Sequence, residues 1–153
     1  MKLPLVKCLY TKISEIKEKG DLYEYNSNVN PLTYDFGLNV GEHYVLLGIT
    51  QLNNLPYYYI LSDNEVDITP AILFEDEQYN IPVDWIIKIS PKDHKTLEIS
   101  PKFLADIPNW FEHYMDEDEE VVRVINQAIS NITQDNQLPY PKDHYAQPFE
   151  DYK

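Results

Sequence analysis

The chain has 153 residues, 43% of them hydrophobic and 25% charged, the composition of one domain large enough to bury its own core. Twenty-six acids against twelve bases give a formal net charge of −14, and Arg123 is the only arginine; phosphate backbones are held by clustered Lys and Arg, so no direct nucleic-acid binding is expected. A single cysteine, Cys8, without CxxC or paired-His patterns argues against a disulfide framework and against a metal or cofactor site.

Apolar runs such as Tyr57 to Leu61 fall far short of the ~20 residues of a membrane span. The start, Leu3 to Val6 followed by Lys7, carries no cleavage pattern, so a cytoplasmic protein with no membrane contact is expected. Charge is unevenly placed. The first twenty residues are net basic, whereas residues 21–90 hold eleven acids and one base, Lys88.

In chain order, Leu3 to Tyr10 can form a first strand, Ile13 and Ile16 a helical turn, and Asn26 to Pro31 a polar connection. His43 to Thr50 is β-branched and aromatic, with Gly41 before it suited to a turn. Gln51 to Pro56 reads as a hairpin loop. Pro56 to Ser62 is the strongest strand, with Tyr57, Tyr59 and Leu61 on one face and Tyr58 and Ile60 on the other. Ile68 to Phe74 is extended around Pro70, whose missing donor predicts an edge strand or bulge. Asp84 to Ser90 supplies a further strand.

After Ser90 the period shifts toward 3.6. Ser100 and Pro101 form a helix-start pair, and Pro108 should break or restart the helix that follows. Asp116 with Glu119 reads as a cap for an amphipathic helix whose stripe is Val121, Ile125, Ala128 and Ile132. The expected fold is α+β: a single domain over 1–134, with a small antiparallel, partly closed barrel in 3–90 and two helices in 101–133. Residues 135–153, rich in Pro and aromatics, are expected to form an extended tail.

Chemistry-bearing patterns are sparse. The run Asp116 to Glu120 lacks the alternating ligands and glycine of a calcium loop, and acids at a helix start are accounted for by the helix dipole. His43, His94, His113 and His144 form no HExxH or His-x-His pattern; a His113–Glu117 pair has nothing to complete a metal site. There is no GxSxG and no phosphate-binding glycine loop. Cys8, between Val6 and Leu9, reads as a buried small hydrophobe. The chain is therefore not expected to be an enzyme.

Thirteen tyrosines admit two readings: they fill a small barrel, or they form an interface face. On the second reading Tyr57 and Tyr59, rimmed by Asp63, Glu65, Asp67, Glu75, Asp76 and Glu77, would dock onto a basic protein. The acidity likewise serves solubility or steers a basic partner.

The run Leu38-x-x-Gly41-x-x-Tyr44-x-x-Leu47-Gly48-Ile49, then Tyr57 to Asp63, Pro70-x-x-Leu73-Phe74-Glu75 and Ile81-Pro82-x-Asp84-Trp85 resembles a group of small bacterial SH3-like proteins, some associated with toxin immunity. It spans about residues 3 to 90. The chain departs from that pattern in lacking a glycine in the Asp63-Asn64-Glu65 turn and in its helical C-terminal third. The resemblance implies an SH3-like sheet; taken with the acidity of residues 21–90 and the lack of a catalytic constellation, it leads to the expectation of an acidic binding protein that neutralises a basic toxin domain, of nuclease type, by direct contact. A DNA-mimicking phage-type inhibitor and an acid-rich hydrolase are the alternatives. Oligomeric state is not set by the sequence.

Overall fold

Runs of β-branched and aromatic residues are most stable when extended and paired, and the two longest such runs form the middle of the molecule. The computed structural model describes residues 3–16, 34–52, 55–63, 65–75, 81–89 and 96–135. Among them, β1 (Leu5–Lys7), β2 (His43–Leu52), β3 (Leu55–Ser62), β4 (Glu65–Pro70), β5 (Ile86–Ile89) and β6 (Thr96–Ser100) form one antiparallel sheet. Its order is β4-β3-β2-β6-β5, with β1 also on β2. Then come α1 (Lys102–Ala105), α2 (Trp110–Met115) and α3 (Glu119–Asp135). The α+β class therefore holds.

The sheet is not closed, which corrects the partly closed barrel. β1 and β6 share one side of β2: β1 lies on its start, pairing Leu5 with Val45, and β6 on its end, pairing Ile49 with Ile99. This branching leaves β4 and β5 as the two ends of the strand order. β6 itself lies beyond the expected limit of residue 90. Its five residues run from Thr96 to Ser100, and it carries β5 onto β2. Pro70 ends β4, which is an edge strand as its missing N–H requires.

Cross-strand partners share a face. Tyr59 pairs with Gly48 and Ile68, and its ring packs against Trp110 and Phe111 with centroids 4.7 and 4.8 Å away. The helices cover this face. On the other, Tyr58 packs on Phe74 at 5.6 Å, and Phe74 also meets Tyr44. Both faces of β3 are thus covered, so all three of its tyrosines are buried. Cys8 is buried too, and burial pushes its thiol pKa up, as its apolar neighbours led one to expect.

The helical third departs from two helices. Pro101 starts α1, its carbonyl accepting from the N–H groups of Leu104 and Ala105. Pro108 does interrupt the chain: Asn109 takes a left-handed backbone (φ 53°) and α2 begins anew at Trp110. Asp116 does not cap α3. Its N–H bonds to the Glu112 carbonyl, so it closes α2, and Asp118 caps α3 instead by accepting from the Val121 N–H at 3.2 Å. α3 runs along α2 and sends Ile125 and Ile129 into the core, with Val121 and Ala128 half-buried. The side chain of Ile132 lies outside the described part, as does the expected tail from residue 136 onward.

Candidate partner-binding groove

The β3–β4 hairpin turns between Ser62 and Glu65, which pair directly. Such a two-residue loop needs positive φ at its first central position, normally supplied by Gly or Asn. Asp63 supplies it here, at φ 50°. That is how the turn forms without glycine, and it leaves a carboxylate at the hairpin tip.

Across from the tip, α2 ends in a Schellman motif. The Asp118 N–H bonds to the His113 carbonyl at 3.0 Å and the Glu117 N–H to the Tyr114 carbonyl at 3.1 Å. The residue between cap and reversal, usually glycine, is Glu117 at φ 59°. A left-handed Glu in place of Gly costs about 1 kcal/mol. The same turn places His113 Nδ1 3.6 Å from Asp118 Oδ2.

Between these two turns lies a groove of about 920 Å³. One wall is edge strand β4 with the hairpin tip: Asp63, Glu65 and Asp67 are exposed, while Val66 is buried. The other is built by Tyr114, Met115 and Glu117 and by Val122, Asn126, Ile129 and Ser130, positions at i, i+4, i+7 and i+8 that share one face of α3. The Tyr114 hydroxyl accepts from the Val66 N–H at 3.4 Å and so ties α2 to the open side of β4. Among the described residues no Lys, Arg or His lines the groove.

Its electrostatics follow from crowding. Although Asp67 is exposed as a residue, partial desolvation of its carboxyl raises its pKa, and the charges of Glu65 and Asp63 raise it further. Neighbouring negative charge is thus concentrated, with no cation among the described lining residues to offset it. Among the described residues no three His, Cys, Asp or Glu side chains converge as a metal site would need, so the carboxylates are spread around the rim.

Of the eight residues expected to contact a partner, Asp63, Glu65 and Asp67 come together in this groove. Glu75 is exposed but does not line it, and Asp76 and Glu77 lie outside the described residues. Tyr57 and Tyr59 are each 5% exposed. Both rings therefore lie inside the molecule instead of on an open face: Tyr59 is covered by Trp110 and Phe111 of α2, and burial with the nearby Glu98 charge pushes its pKa up to about 12. The Tyr114, Glu117 and α3 contributions were missed, although Glu117 belongs to an acid run whose helix-dipole explanation accounts for Glu119 and Glu120 in the first turn of α3.

No family model matches the chain, and comparison with curated proteins and with solved structures returns no match. No helix among the described residues is long and apolar enough to cross a membrane. The class defined by fold and site is an α+β protein with an acidic surface groove beside a sheet edge.

Proposed function

We propose that the chain is an acidic binding protein that neutralises a basic protein partner, a toxin domain of nuclease type, by seating a basic segment of it in the groove between β4 and α3. The observation that carries this reading is the pair Asp63 and Glu117. Both hold left-handed backbone, and both place a carboxylate on the same groove. Strain kept at one site in two separate turns supports a contact role for this surface. An apolar interior of Val66, Val122 and Ile129 under an acidic rim fits an apolar anchor flanked by Lys or Arg. The toxin class and the SH3-like kinship rest on the sequence resemblance over residues 3 to 90.

The test begins with affinity capture from the source cell. The captured protein should be basic, should arrest growth when expressed alone, and should be tolerated when co-expressed with this chain. Replacing Asp63, Glu65 and Asp67 together with Lys should slow association and remove its salt dependence, because rim charges act chiefly on the on-rate. An acidic partner, or undiminished protection by the charge-reversed chain, would defeat the proposal.

A further inference from the structure

The two ends of the sheet differ. At β4 the edge is shielded: Pro70 has no donor to offer, and the Tyr114 hydroxyl takes the Val66 N–H. At β5 it is open. No described element pairs with the outer side of Ile86–Ile89, and its isoleucines stand in solvent, with Ile86 39%, Ile87 58% and Ile89 54% exposed. Ile87 pairs with Ile99, which pairs with Ile49; the latter two are half-buried, so an apolar strip crosses this end of the sheet and runs out at β5.

We propose that the open edge of β5 pairs antiparallel with β5 of a second copy of this chain, continuing the sheet across a two-fold axis. An unpaired apolar strand is a template for another strand, and under two-fold symmetry the same edge serves as its own complement. The charge distribution selects this place. Two molecules of net charge −14 repel one another, yet the segment 81–89 holds one acid, Asp84, and one base, Lys88, and Lys88 stands opposite Glu98 within its own sheet. Copies meeting at β5 therefore approach through a stretch of low net charge, −1 from Asp84, Lys88 and Glu98. Because the β4 edge is shielded, the assembly closes at two copies instead of growing into a fibre. A four-residue strand is small beside the ~800 Å² per partner of a standard interface, so the dimer is weak and concentration-dependent.

Sedimentation of the full chain over a concentration series, at low and high salt, reads this directly. The wild type should shift from monomer to dimer with concentration, and association should strengthen several-fold at high salt as the like charges are screened. Ile87→Lys, at an exposed position, should raise the dissociation constant at least tenfold with the melting temperature and circular dichroism unchanged; Val40→Lys, at an exposed position on another segment, should leave dimerisation intact. A wild type that stays monomeric at all concentrations and both salts overturns the proposal. So does dimerisation that weakens with salt, or that survives Ile87→Lys.

Discussion

Gly48 and Tyr59 face each other across β2 and β3, and the tyrosine ring occupies the space beside the glycine. A Cβ built on Gly48 would lie 3.2 Å from Tyr59 Cδ2 and 3.2 Å from the Ile99 carbonyl oxygen. Leu47, next to it, is the extra residue of a bulge between the Leu46 and Gly48 pairs. The absence of a side chain lets β6 and the ring close on β2 together. Gly48→Ala should therefore destabilise the fold by ~1–3 kcal/mol, since backbone of a neighbouring strand must move; denaturant unfolding of the two chains measures it.

Tyr59 contributes to alkaline stability, alongside Tyr44 and Cys8, whose pKa values burial also raises. Burial, and secondarily the charge of Glu98, raises the Tyr59 pKa from 10 to about 12. The folded state thus holds this proton where the unfolded chain has lost it. Stability is fully present below pH 10 and falls as pH rises toward 12, by on the order of 3 kcal/mol at ~1.4 kcal/mol per pKa unit. Unfolding midpoints across that window should drop less steeply in Tyr59→Phe.

Thr69 is buried, and its Oγ1 has no hydrogen-bond partner among the described residues. A buried hydroxyl that has given up water without replacement destabilises the fold. Thr69→Val keeps the β-branched shape and should raise stability by about 1 kcal/mol, seen as a higher melting temperature.

Ile125 is the most buried of the described side chains of α3, whereas Gln127 two positions on is exposed. Ile125→Asp places an unpaired charge in the core and should cost ~3–5 kcal/mol. Gln127→Asp should leave the melting temperature within a degree or two of wild type. Equal effects of the two would mean that α3 is not held through this stripe.

The groove predicts opposite effects on stability and binding. Glu117→Gly relieves the left-handed backbone at the end of α2 and should stabilise the fold by up to ~1 kcal/mol. Asp67→Asn should also stabilise it at neutral pH: the raised folded pKa means that the charged form is disfavoured, so the cost sets in as pH rises through that pKa and is absent when the group is neutral. Both changes should weaken capture of a basic partner. Thermal unfolding with binding measured on the same samples separates the two effects.

Periodicity and turn chemistry made much of the architecture legible. The β2–β3 hairpin, the edge position of β4 and the break before α2 follow from local rules about alternation, Pro70 and Pro108. β6 escaped because five residues with one alternating apolar pair, Leu97 and Ile99, carry little periodic signal. The cap of α3 was misplaced by two residues since Asp116 and Asp118 are chemically equivalent candidates, and only the hydrogen bond of the Asp116 N–H to Glu112 assigns it to the preceding helix.

The sequence by itself determined composition, charge and the alternation that sends Tyr58 and Tyr59 to opposite faces, because these depend on residue identity and a two-residue period. Tertiary structure alone decided whether those faces meet water. Trp110 and Phe111 cover Tyr59 from residues more than fifty positions away, and Phe74 covers Tyr58. The same long-range packing joined Asp63 to Glu117, two acids that no local pattern relates, on the rim of one groove. Burial and convergence are properties of surfaces brought together by folding, and a linear pattern specifies only which side of its own strand or helix a residue occupies.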